Sequence, residues 1–133
     1  MGTKNLFHPV LIMDAPFGHV FTDGRGFLKI HIKTDEISSE QIVHLSDELK
    51  EFYPDTKIPF LVDVSDSPPC LRSIRLLIDE KTSEFCSRIA IVSTTDQGKS
   101  IAKIFMTLTK TQCPISLFET EYQASEWLCE EVL

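Results

Sequence analysis

The sequence predicts an α/β domain built on one mixed, mostly parallel sheet with flanking helices, in the order β-β-α-β-α-β-α-β-α. Three observations predict it. The short apolar runs "IPFLVDVS", "RIAIVS" and "PISLF" alternate with segments of helical period, and strands that alternate with helices imply a parallel sheet with right-handed crossovers. A glycine-bearing turn between two strand-like segments near the start makes the sheet mixed. The chain has 133 residues, enough for one domain whose core needs neither disulfide nor metal.

The opening stretch "HPVLIMDAPF" is apolar but carries Pro9 and Pro16. It reads as an N-terminal extension over residues 1–16, with an extra edge strand as its one structural option, ahead of a domain over residues 17–133. "HVFTDGRGFLKIHIK" reads as a hairpin around Asp23-Gly24-Arg25-Gly26, whose glycines supply the positive φ of a tight turn. Phe27, Leu28, Ile30 and Ile32 belong to its second strand. A helix follows from about Ser39 to Phe52. Ser38-x-x-Gln41 is a capping box, Ile42, Leu45, Leu49 and Phe52 form one apolar stripe, and Pro54 ends it.

"IPFLVDVS" is apolar on both faces and so predicts a central strand, with Val62 fully buried. Pro68 and Pro69 lead into a second helix striped by Leu71, Ile74, Leu77 and Ile78. "RIAIVS" is a second central strand with Ile91 fully buried. The third helix runs from about Asp96 to Lys110 with Ile101, Ile104, Phe105 and Leu108 inward, capped by Asp96 and with Lys99 in solvent. "PISLF" is the last strand. Thr120-x-x-Gln123 is a second capping box, opening a helix with Ala124, Trp127 and Leu128 on its inner face.

Composition excludes several classes. Apolar residues make up 42% and charged residues 25%, ordinary for a globular domain. No apolar run reaches membrane-span length, and the N-terminus has no signal-peptide core, which predicts a cytoplasmic protein. The net charge of −7 opposes binding to nucleic acid or anionic lipid. The densest basic cluster, Arg72, Arg75, Lys81 and Arg88, is interrupted by acids and reads as a solvated face. Cys70, Cys86, Cys113 and Cys129 lack metal-ligand spacing and read as small buried hydrophobes, so neither metal nor cofactor is expected.

The chain resembles the STAS-like superfamily, which includes the bacterial anti-sigma-factor antagonists, and within it a branch of small uncharacterised bacterial proteins grouped with STAS and CRAL-TRIO-type domains. The residues that carry the resemblance are Thr22-Asp23-Gly24, Pro59-Phe60-Leu61-Val62-Asp63-Val64, Arg75, Ala90-Ile91-Val92 with Ser93, Lys103-Ile104-Phe105, Pro114 before Leu117-Phe118, and Ala124-x-x-Trp127-Leu128. It spans about residues 17 to 130. It implies a regulatory or protein-interaction module and not an enzyme. It also implies a phosphoacceptor region at the start of the helix after the central strand. There the family's Asp-Ser-Ser/Thr-Gly is replaced by Cys70-Leu71-Arg72-Ser73.

Two candidate sites follow. The first is the loop after the central strand: Asp63, Ser65, Ser67, Arg72, Ser73 and Arg75. Strand carboxyl ends in open α/β sheets face the ligand crevice, the serines offer hydroxyls, and the arginines suit an added phosphate. Asp63 alternatively caps a turn or pairs with Arg75. The second is Gly98-Lys99-Ser100, which follows a strand and opens a helix as a P-loop does. The first P-loop glycine is Ser93 here, so this stretch reads as a helix start, with a weak anion site at Gly98, Lys99 and Ser100 left open.

Catalytic triads need a positioned base, and neither His31, facing outward from its strand, nor His44, off the apolar stripe, supplies one. The leading expectation is a non-enzymatic module that binds a protein partner. The alternative is a carrier of a small apolar ligand, and third comes a nucleotide enzyme built on Gly98-Lys99-Ser100. Free sheet edges leave a homodimer open.

Overall fold

A computed structural model describes residues 10–15, 18–22, 26–33, 39–65, 86–108 and 114–130. The elements are β1 (Val10–Ala15), β2 (Gly18–Thr22), β3 (Leu28–Ile32), α1 (Ser39–Phe52), β4 (Ile58–Asp63), β5 (Cys86–Val92), α2 (Asp96–Leu108), β6 (Ile115–Phe118) and α3 (Glu121–Leu128). The six strands form one sheet in sequential order, β1-β2-β3-β4-β5-β6. β1, β2 and β3 pair antiparallel; β3, β4, β5 and β6 pair parallel. The predicted second helix, over residues 68–80, lies outside the described residues.

The predicted strands all appear. The central place of residues 59–64 follows from burial: Phe60, Leu61 and Val62 are all buried, so both faces of β4 need cover. β4 accordingly lies between β3 and β5. Val62 and Ile91 are fully buried. Val10–Ala15 is an edge strand hydrogen-bonded to β2, with a bulge between Leu11 and Met13. At the hairpin, Gly26 adopts φ of +101°. Gly18 answers a close approach, since a Cβ there would overlap the His31 carbonyl oxygen.

Strand alternation divides the core in two. On one face Val20, Leu28, Ile30, Ile32, Phe60, Val62, Ile89 and Ile91 pack with Leu45 and Leu49 of α1 and Ala102 of α2, and Met106 packs against them half-buried. Both helices sit on this face, as right-handed crossovers advancing in one direction require. On the other face Phe27, Leu61, Ala90 and Val92 pack with Ala124 and Leu128 of α3, with Phe118 and Trp127 half-buried beside them. α3 follows the last strand, so no crossover constrains its side.

Among the other expectations, α1 keeps its predicted bounds, but Ser38 of its capping box lies outside the described residues. Thr120 caps α3 through Gln123 N–H at 3.2 Å, as expected. Cys86 is buried and Cys129 exposed, the latter against expectation because it terminates α3 on its solvent side. Cys70 and Cys113 are not among the described residues.

Candidate functional site at the carboxyl end of the parallel strands

The parallel strands β4, β5 and β6 end in one row, Asp63 beside Val92 beside Phe118. The ladder continues one residue further, with Val64 N–H donating to Val92 O at 2.9 Å and Ser93 N–H to Phe118 O at 3.1 Å. The three strands therefore end together, and Ser65, Thr94 and Glu119 stand along one edge.

Asp63 Oδ1 accepts Ser65 N–H at 2.9 Å, so the carboxylate holds the turn that leaves β4. Ser65 Oγ in turn accepts Thr94 N–H at 3.1 Å, across from the loop after β5. The two candidate sites, separate in the sequence, are joined by this bond. Of the first, Asp63 and Ser65 are placed here; Ser67, Arg72, Ser73 and Arg75 lie outside the described residues.

The second site is organised by hydroxyls. Ser93 is fully buried, and its Oγ donates to Thr95 O at 3.1 Å. Thr95 Oγ1 accepts Gly98 N–H at 3.1 Å and is the N-cap of α2. The cap is Thr95 and not the expected Asp96, which occupies the first helical position and complements the helix dipole there. Gly98 is buried against Ser93: a Cβ would overlap Ser93 Oγ and lie 2.9 Å from Thr95 Oγ1. Tight packing of the helix start explains this glycine. Lys99 Nζ donates to Glu119 Oε1 at 2.9 Å across the loop after β6, instead of standing alone in solvent. Ser100 is exposed on the first turn.

Sequence reasoning missed Thr94, Thr95 and Glu119, and named Ser93 only in the family resemblance and as the residue in place of a P-loop glycine. The signal available was Ser93-Thr94-Thr95 itself, three hydroxyl residues between a buried strand and a helix, where N-caps concentrate.

On the same face as α3, Asp14, His19, His31 and Asp63 form a row on neighbouring strands in register. His19 Nδ1 lies 2.9 Å from Asp14 Oδ1, an ion pair once the ring is protonated, though out of line for a hydrogen bond. His44 is exposed, 4.0 Å from Glu48. Among the described residues no group of three or more His, Cys, Asp or Glu side chains is placed to hold a metal, and no helix is long and apolar enough to cross a membrane.

α3 is fastened over its face by polar contacts at both ends. Lys29 pairs with Glu121. Arg88 Nη1 donates to Trp127 O at 2.6 Å, and its guanidinium lies 4.8 Å from the Trp127 ring centre. Tyr122 is hydrogen-bonded to Glu126, whose acceptor and negative charge hold the phenol pKa above its ordinary value.

A search of curated proteins finds no match. Among solved structures, the chain is similar to an uncharacterised protein of the DUF3478 family with a SpoIIAA-like fold from Shewanella loihica PV-4. The TM-score is 0.51 and the sequence identity 18%, over 91% of this chain and 92% of that one. The likeness is one of fold alone: this chain shares the SpoIIAA-like fold of that protein. Residues 22–131 match the family described as a domain of unknown function, DUF7793, and the chain belongs to that family.

Proposed function

We propose that this domain is a non-enzymatic regulatory module of the cytoplasm that acts by protein contact, through the edge formed where β4, β5 and β6 end. The observation that carries the reading is the Ser65 Oγ to Thr94 N–H bond, which joins the two loops into one surface. Around it Asp63 holds a turn, Thr95 caps a helix, and Lys99 pairs with Glu119. Groups occupied in this way shape a rigid recognition surface and do not act as a nucleophile and its base. In this reading Ser67 and Ser73 tune the surface when phosphorylated, with Arg72 and Arg75 as partners for the phosphate. No observation favours the apolar-ligand alternative over it.

The test places a photo-crosslinking residue at Thr94 in the native host, with Ser87, exposed at the opposite end of β5, as the control. The expected result is one defined protein captured from Thr94 and not from Ser87, with its yield altered by Ser67→Asp or Ser73→Asp. No specific product at Thr94, or equal capture at Ser87, overturns the proposal.

A further inference from the structure

We infer that α3 is a displaceable cover. It is held down by Lys29 and Arg88, and it undocks from the sheet as a unit while the strands and the helices on the other face stay folded. This device belongs to the α3 face and is separate from the loop edge above.

The helix supplies little of its own anchorage. α3 has eight residues, and isolated helices shorter than about 12–15 residues are marginal in water. Its buried side chains are Ala124, Ser125 and Leu128, two of them small, with Trp127 half-buried. Glu121, Tyr122, Gln123 and Glu126 are exposed. The last turn carries no basic residue, and Glu126 and Glu130 stand near the end where the helix dipole is negative.

The sheet provides what the helix lacks. Lys29 of β3 meets Glu121 in the first turn, through side chains that are both partly exposed, and such pairs bind weakly. Arg88 of β5 donates to Trp127 O in the last turn and so brings the cation that a helix C-terminus favours.

Connectivity allows the departure. α1 and α2 each join two paired strands and are tied to the sheet at both ends. α3 leaves the last strand through Glu119 and Thr120, both exposed, and no described strand follows it. An element with few buried contacts opens at a lower free energy than the whole domain. Beneath α3 lie Phe27, Leu61, Ala90 and Val92, all buried, so the open form presents an apolar strip that the closed form hides.

Native-state hydrogen exchange on the full chain, read by nuclear magnetic resonance, tests the inference. The amides of Ala124 to Leu128 should exchange at least about tenfold faster than those of Leu61, Val62 and Ile91, once corrected for intrinsic rates. Ile30→Val removes one methylene from the opposite face, where packing persists when α3 opens. It should speed exchange in β4 and β5 about fivefold and leave α3 unchanged. Arg88→Ala loosens the closed form and should speed α3 exchange at least about tenfold. If α3 and the strands exchange at one free energy, or Ile30→Val speeds both equally, α3 leaves only when the domain unfolds and the inference is overturned. An α3 rate unmoved by Arg88→Ala overturns it as well.

Discussion

Gly98→Ala tests whether the glycine that opens α2 serves packing or a phosphate. The added Cβ would overlap Ser93 Oγ and sit 2.9 Å from Thr95 Oγ1 and 3.0 Å from Ser93 Cβ. Ser93 is fully buried and its hydroxyl bonds Thr95 O, so it cannot swing into solvent. Overpacking a filled site costs about 1–3 kcal/mol, and a buried hydroxyl left without its partner costs a further 1–3 kcal/mol or so. Alanine returns about 1 kcal/mol through its helix propensity. The net expectation is a loss of about 3 kcal/mol in urea unfolding, with an unchanged slope. Ser93→Ala alone removes one hydrogen bond, a loss of about 1 kcal/mol. The double variant relieves the overlap, so its loss should fall short of the two single losses added, by about 1 kcal/mol. If Gly98→Ala is as stable as the wild type, or if the two losses simply add, the packing argument fails and a role for the open backbone is restored.

Three further outcomes follow from α3 and its fastenings. Arg88→Ala removes both the bond to Trp127 O and the ring contact, and should lower stability by about 2 kcal/mol. Trp127 is the single tryptophan, so its emission should shift to the red in the folded variant; an unshifted spectrum would show that Arg88 does not position it. Thr120→Ala deletes the N-cap of α3 and should lower stability by about 1 kcal/mol, whereas Thr120→Ser should restore most of it. Glu126→Gln removes the negative charge beside Tyr122, so the phenol should ionise at lower pH than in the wild type; ultraviolet absorbance titration reads this, and an unmoved or higher midpoint contradicts the contact.

The sheet was legible because its central strands are apolar on both faces. The buried residues Phe60, Leu61 and Val62 in one run, and Ile89, Ala90, Ile91 and Val92 in another, leave no solvent-facing side, so only interior positions suit them. α1 was legible from a stripe containing Leu45 and Leu49 and from a proline just beyond its end. The site was less legible for a physical reason. Thr95 and Asp96 are both good capping residues, and only the geometry of the β5–α2 loop chooses Thr95. Lys99 meets Glu119 and Ser65 meets Thr94 across 20 and 29 residues of chain, contacts that no local spacing encodes. Gly98 imitates a phosphate motif because both uses of glycine answer the same need, a backbone approached too closely for a Cβ.

The topology itself divides the labour between the two ends and faces of this domain. Strands added in sequential order by right-handed crossovers keep their connecting helices on one face, which is where α1 and α2 pack. The opposite face then depends on α3 for cover. Eight residues shield the strands they lie on, chiefly β5, and leave the antiparallel hairpin side without a helix among the described residues. The hairpin strands answer in sequence: β2 and β3 place His19, Phe21, Lys29 and His31 where β4 and β5 place Leu61, Ala90 and Val92. The polar-to-apolar change across the β3–β4 boundary therefore marks the edge of α3, and it is a property of the chain rather than of any partner. The carboxyl ends of β4 and β5 are held by the Asp63 turn, the Thr95 cap and the Ser65–Thr94 bond between their loops, none of which passes through α3. A change at Ser65 should accordingly open the Ser65–Thr94 edge while leaving α3 and its Arg88 fastening in place.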